Sequence, residues 1–306
     1  MKKTLITLAL LVSATLMYAQ EETQEETPKD GWSDSGTISL LFNQSAFNAE
    51  WQGGGTSNIA GNLSLSYDIN YRKGDVTWDN KVLADYGLTK LKGQEFTRKT
   101  NDRLELNSIV GKQIKESNWF YSFFLNFRTQ FDSGYEYFEE DVLENGVVVG
   151  TQEARVETTH FLSPGYLQAG PGLLWKKSDN FKVNFAPATA RLIFVDDAFT
   201  STPGYVDGDY FGVDANESTR FEFGAAVNGY AKFNLVKNVS MENILNLYAN
   251  YLEDPQNVDI DYTANIAMTI NKFMSANITF QAIYDDNAVK GFQIREVFGL
   301  GVNYGF

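Results

Sequence analysis

The side chains able to do chemistry are few. The 306-residue chain has one histidine and no cysteine. A two-histidine metal site, a thiolate site, a cysteine nucleophile, a disulfide framework and a lipidated amino-terminal cysteine are therefore excluded. His160 precedes Ser163 by three residues, and an imidazole can take the proton of a serine hydroxyl. Residues so spaced near a strand entrance seldom align as base and nucleophile, however, and no GxSxG turn surrounds Ser163. Asp196-Asp197 could share acid/base work, but adjacent acids are commonplace in an acidic loop. The run Asp207-Gly208-Asp209-Tyr210-Phe211-Gly212-Val213-Asp214 starts as an EF-hand loop does, with acids at i and i+2 and glycine at i+5. Phe211 then fills the next ligand position, and Ser218 stands where the bidentate glutamate belongs. The expectation is a protein that is not an enzyme, with no catalytic residue, no cofactor and no metal, whose loop acids form a solvated rim.

The elements that hold these residues read as strands. From Thr37 onward, segment after segment of roughly 9 to 14 residues alternates apolar and polar side chains at period two. Ile59, Gly61, Leu63, Leu65, Tyr67, Ile69 and Tyr71 take one face, and Ala60, Asn62, Ser64, Ser66, Asp68 and Asn70 the other. Trp119, Tyr121, Phe123, Leu125 and Phe127 alternate with Ser122, Asn126 and Arg128, with Phe120 and Phe124 as exceptions on the polar face. Soluble sandwich strands are usually nearer five or six residues, so the length favours strands that cross a bilayer. Twelve are expected, at 37–47, 58–71, 75–87, 101–113, 119–130, 164–176, 180–188, 220–233, 239–251, 258–271, 276–284 and 292–306. Connections after even-numbered strands are tight and those after odd-numbered strands mostly long, the pattern of an outer-membrane barrel with its short turns in the periplasm. Bilayer hydrocarbon cannot hydrogen-bond exposed backbone, so such a sheet must close on itself. A polar interior then accounts for a mean hydropathy of −0.29. The fold class is thus an all-β transmembrane antiparallel barrel of about twelve strands, with both termini periplasmic.

The ends of the chain agree. Met1-Lys2-Lys3, an apolar run from Thr4 to Leu16 and a small residue at Ala19 read as a secretory signal peptide over 1–19. Residues 20–36 follow as a flexible acidic periplasmic segment, and 37–306 as the barrel. Leu300, Val302, Tyr304 and Phe306 alternate to a final aromatic, resembling the carboxy-terminal signal by which such barrels are delivered for assembly. With 39 acidic against 25 basic residues the net charge is −14, so nucleic acid is not an expected partner. The acids concentrate in the connections 131–163 and 189–219, which could bridge through divalent cations to lipopolysaccharide phosphates or meet a partner.

Inward parity gathers charge inside the barrel. Arg103, Arg128, Arg220 and Arg295 fall near the outer strand ends, with Asp85, Glu105, Glu222, Asp259 and Asp261 at similar depth. Opposed charges across a narrow lumen would select and orient solutes, or pair into a network that seals it. Asn126, Asn246, Asn265, Thr263 and Gln281 add neutral polar groups to the same face.

Three stretches resemble the DUF3078 family of Bacteroidota outer-membrane β-barrel proteins: Asn43-Gln44-Ser45-Ala46-Phe47-Asn48-Ala49-Glu50-Trp51-Gln52-Gly53-Gly54-Gly55, Leu162-Ser163-Pro164-Gly165-Tyr166 and Phe185-Ala186-Pro187-Ala188-Thr189. The resemblance implies the outer membrane of a Gram-negative bacterium and no established activity, so it transfers no functional residue. The leading expectation is a narrow pore or transport barrel for small polar solutes. The alternative is a structural or accessory barrel that binds envelope protein partners. Outer-membrane lipid and lipopolysaccharide are expected partners in either case.

Overall fold

The computed structural model describes residues 30–48, 50, 52 and 55–306. The expected signal peptide and most of the acidic lead-in lie outside these residues, as do Ala49, Trp51, Gly53 and Gly54 of the first family-like stretch. Among the described residues no helix is long and apolar enough to cross a membrane.

The strands are β1 (Gly31–Ser45), β2 (Asn58–Lys73), β3 (Val76–Leu91), β4 (Arg98–Gln113), β5 (Trp119–Thr129), β6 (Gly134–Glu144), β7 (Val147–Thr159), β8 (Gly165–Ser178), β9 (Phe181–Phe194), β10 (Thr219–Val236), β11 (Val239–Asn250), β12 (Val258–Thr269), β13 (Met274–Asp285) and β14 (Val289–Gly305). Twelve close into one barrel in the order β1-β14-β13-β12-β11-β10-β9-β8-β5-β4-β3-β2, each pair antiparallel. β6 and β7 form a separate hairpin inside the longest connection, where the sequence shows only an acidic loop. All twelve expected barrel strands are present, and the alternation of short and long connections puts both ends of the barrel's chain at the short-turn end.

Alternation sets the two faces. On β5, Trp119, Tyr121 and Phe123 are exposed on the outer surface, while Phe120, Ser122 and Phe124 are buried within. The outer wall continues with exposed Leu40, Phe42, Leu63, Phe185, Phe221 and Val302. At the short-turn end Trp32 packs on Tyr71 and Trp78, with ring centroids 5.0 and 5.7 Å apart. Inside, Phe124, Ala186, Ala226 and Tyr248 form a buried cluster with Ile109 against it, so one side of the lumen is packed with apolar groups.

Two boundaries differ from expectation by six residues each. β1 opens at Gly31, so residues 31–36, assigned from sequence to the leading segment, pair with β2 as far as Gly31↔Arg72. β9 runs to Phe194 rather than to residue 188, because its register shifts against both neighbours at Pro187-Ala188. One extra residue there flips inward parity from Lys182, Asn184 and Ala186 to Thr189, Arg191 and Ile193, as a β-bulge does. Thr189 donates its hydroxyl to the Ala186 carbonyl at 2.9 Å across the bulge. β8 passes so close that a Cβ on Gly172 would lie 2.6 Å from the Phe185 carbonyl oxygen, which leaves glycine as the residue that fits. Pro164 sits just before β8, and Pro171 falls within the interval where the β8/β9 register shifts, consistent with the donor that each lacks.

Pairing is complete between β1 and β2, but between β1 and β14 it runs only from Thr37↔Gly305 to Phe42↔Leu300.

Candidate functional site

The lumen holds two ion-paired layers, one near each end. Each rests on inward-facing positions of strands that are distant around the barrel.

The layer at the long-loop end is built on arginine. Arg103 on β4 meets Glu105 through Nε at 2.7 Å and reaches Thr263 on β12 at 3.4 Å. β4 and β12 stand opposite each other in the strand order, so this bond spans the lumen. Arg128 on β5 pairs with Asp261 on β12, whose other oxygen accepts Gln281 Nε2 at 3.0 Å. Arg295 in turn donates to Gln281 Oε1 at 3.1 Å rather than to a carboxylate, leaving one guanidinium nitrogen without a partner. Glu222 is fully buried between Arg191 and Arg220, while Arg191 also pairs with Asp259 and stacks 4.1 Å from the Tyr248 ring centroid. The residues expected from parity, Arg103, Glu105, Arg128, Arg220, Glu222, Asp259, Asp261 and Arg295, are thus brought together, in two linked groups. The sequence reading missed Arg191, which it counted as a loop residue. Its signal was the apolar alternation that resumes one residue out of phase after Ala188.

The second layer, at the short-turn end, is built on lysine and was not anticipated. Lys176 on β8 reaches both oxygens of Asp79 on β3, at 2.9 and 2.8 Å, and Lys182 on β9 joins the same carboxylate at 2.7 Å. Lys81 on β3 meets Asp68 at 3.1 Å and, across the lumen, Glu242 on β11 at 3.2 Å. Glu242 also accepts the Tyr230 hydroxyl at 2.8 Å. This bond satisfies the hydroxyl that Tyr230 brings to the layer.

Hydrogen-bonded amides line the wall between the layers. Asn126 donates to Glu105 and to Asn107; Ser122 donates to Asn184, Asn184 to Asn228 and Asn228 to Asn246. Asn265 meets Glu242 at 3.3 Å and accepts from Thr279. Two cavities lie beside these groups: one of about 40 Å³ among Arg128, Tyr166, Arg191, Tyr248, Asp259 and Asp285, and one of about 150 Å³ beside Lys176, Thr77 and Gln113 at the short-turn end. The first has room for little more than a water or two.

The acidic connections are folded against the barrel mouth rather than free around it. Glu153 of β7 accepts the amides of Glu95 and Phe96 and pairs with Arg98, which holds its carboxyl below the ordinary glutamate range. Arg155 lies over the rings of Tyr135 and Phe96 at 4.0 and 4.7 Å. Asp132 receives the Tyr86 hydroxyl and the Ser133 amide, and both hydrogen bonds lower its pKa. In the connection after β9, Val213 is fully buried with Tyr166, Ile193 and Val195. Gly212 has φ +73° and lies against Arg220, which donates to its carbonyl at 2.6 Å. Asp207 and Asp209 accept the amides of Ala215 and Val206, so the EF-hand-like acids close turns of their own backbone.

His160 and Ser163 are joined by two backbone hydrogen bonds, each 2.9 Å. Their side chains go elsewhere: the imidazole lies between Glu157 at 2.8 Å and Asp196 at 3.2 Å, and the Ser163 hydroxyl accepts the Asp196 amide. His160 and the Ser133 hydroxyl hold the Glu157 pKa below its ordinary value. Asp197 opens a four-residue helical turn for which Asp196 is the cap.

Comparison with known proteins gives a family match over part of the chain. Residues 42–135 match the family model of DUF3078, described as a protein of unknown function. The matched region takes in the whole of the first family-like stretch, and the stretches at 162–166 and 185–189 lie beyond it. Similar solved structures include the COG4313 outer membrane channel from Pseudomonas putida F1, at 10% identity and TM-score 0.38, covering 94% of this chain and 98% of that one. The translocator domain of the autotransporter NalP from Neisseria meningitidis is similar at 8% identity and TM-score 0.37, with 99% and 98% covered. The Ralstonia pickettii toluene transporter TbuX is similar at 8% identity and TM-score 0.30, with 91% and 90% covered. None of the curated proteins matches this chain in sequence.

Proposed function

We propose that the protein is an outer-membrane barrel, short turns and termini in the periplasm, that serves as a gated narrow passage for small polar solutes. The observation that carries this reading is the pair of cross-lumen ion-paired layers with hydrogen-bonded amides between them. Buried ion pairs are poor filler, since well-packed apolar side chains of similar volume usually stabilise as well or better. A barrel that needed only to be plugged would gain nothing from charge at both ends. Solutes that bring their own charged or polar groups can exchange with these pairs one at a time, which makes each layer a closure that opens by partner exchange. The apolar outer wall supports the bilayer setting.

The β6–β7 hairpin, with Phe138, Leu143, Val147, Val148 and Val149 exposed, favours a second reading, an accessory barrel that meets partner proteins at its outer rim. Planar-bilayer recording separates the two. Wild-type protein is expected to show infrequent conductance steps, and a variant carrying Arg128→Ala and Lys176→Ala to show frequent ones. Silence from both proteins, each confirmed as folded by its mobility in unheated detergent gels, would leave the accessory reading.

A further inference from the structure

Beyond the passage itself, one corner of the barrel mouth has the makings of a cation site. Asp259 near the start of β12, Asp285 at the end of β13 and Asp286 next to it place one carboxylate oxygen each within 4.8 Å of the others. Two oxygens that each lie about 2.4 Å from a common calcium ion are at most about 4.8 Å apart, so the trio lies within the reach of one shared hard cation.

One oxygen of each carboxylate is committed to a group outside the trio. Asp259 accepts Arg191, Asp286 accepts the Asn257 side-chain amide, and Asp285 accepts the backbone amide of Asn287 at 3.1 Å. Each carboxylate is thus fixed by one oxygen and leaves the other without a hydrogen bond. Such outer partners are what orient the ligands of a metal. Asp285 is buried, yet among the described residues it forms no ion pair. Among the described residues the only cation paired with the trio is Arg191, which is shared with Glu222.

An independent observation points to a missing ligand at the same place. Tyr248 is 3% exposed, stands opposite Asp259 in the β11/β12 register and lines the same cavity as Asp259 and Asp285. Its buried hydroxyl has no hydrogen-bond partner. Leaving a buried hydroxyl unpaired is costly, and a cation with its coordinated water would supply the partner.

We propose that Asp259, Asp285 and Asp286 bind a divalent cation of the calcium class at the outer mouth of the barrel, tying the end of β13 to the start of β12. The ligands are all oxygen, the set such ions take, with water completing the shell.

The test uses the full barrel folded in detergent micelles, titrated with calcium chloride by calorimetry and with terbium chloride by tyrosine-sensitised luminescence. The expected result is saturable binding, with terbium displaced by calcium and a Kd near or below the millimolar range common for extracellular calcium modules. Asp285→Asn and Asp286→Asn should each weaken it about tenfold or more, and Asp207→Asn, in the neighbouring acidic loop, should leave it unchanged. Where Asp285→Asn fails to fold, as judged by mobility in unheated gels, the half-exposed Asp286→Asn decides. Absence of saturable binding, or binding that survives Asp286→Asn but is lost in Asp207→Asn, overturns the site. Bilayer conductance plays no part in these readouts, so the result stands apart from that of the passage.

Discussion

The two ends of the lumen close by different chemistry. At the long-loop end five arginines, Arg103, Arg128, Arg191, Arg220 and Arg295, hold the network together, and the cavity beside Arg128 and Arg191 is about 40 Å³. At the short-turn end three lysines, Lys81, Lys176 and Lys182, do so beside a cavity of about 150 Å³. A guanidinium is a planar fork that fixes two partners at once, whereas an ammonium is a compact charge on a flexible stem. The arginine layer should therefore behave as a rigid lattice in which each carboxylate is indispensable. The lysine layer should tolerate loss of a partner, because ammonium stems can swing and Lys176 lines the adjoining cavity.

The strongest way to break this comparison is to remove one carboxylate from each layer. Glu222→Ala leaves Arg191 and Arg220 buried around an absent anion and is expected to cost about 3–5 kcal/mol. Asp79→Ala, which releases Lys176 and Lys182, should cost clearly less. Denaturant midpoints of the two variants refolded into lipid vesicles measure both, and an equal or larger loss for Asp79→Ala would end the distinction. A sharper test keeps the charge and changes its shape. Arg191→Lys preserves one positive charge but cannot hold Glu222 and Asp259 together while stacking on Tyr248. About 1–3 kcal/mol should be lost in the same assay, a charged hydrogen bond or so. The smallest effect is expected from Lys182→Ala. Lys176 still meets both oxygens of Asp79, and the Lys182 side chain is 23% exposed, so the change should stay within about 1 kcal/mol.

The sequence made the barrel legible because period-two alternation over long segments arises from little besides strands with one oily and one polar face. The same parity argument located the arginine layer except for Arg191, whose strand changes phase at the Pro187 bulge. A pattern read at fixed period stops where the backbone inserts a residue, and it stopped there. The lysine layer was hidden for another reason. Lys81 and Glu242 are far apart in sequence on strands that face each other only after closure, so no local spacing announces the pair. The β6–β7 hairpin was missed because Phe138, Leu143, Val147, Val148 and Val149 are exposed among its acids. Without a buried face there is no alternation to read. Its place is set instead by Glu153, Arg155 and Asp132, which look like ordinary loop charges until their partners are known.

The short overlap between β1 and β14 has a mechanical meaning. Every other neighbour in the wall is zipped along most of its length, while here the ladder ends at Phe42↔Leu300. Torn from the side, the cylinder would part along this line first. Built from a flat ribbon, it would be sewn shut here last, with Gly36 and Phe306 exchanging backbone hydrogen bonds as the final stitch.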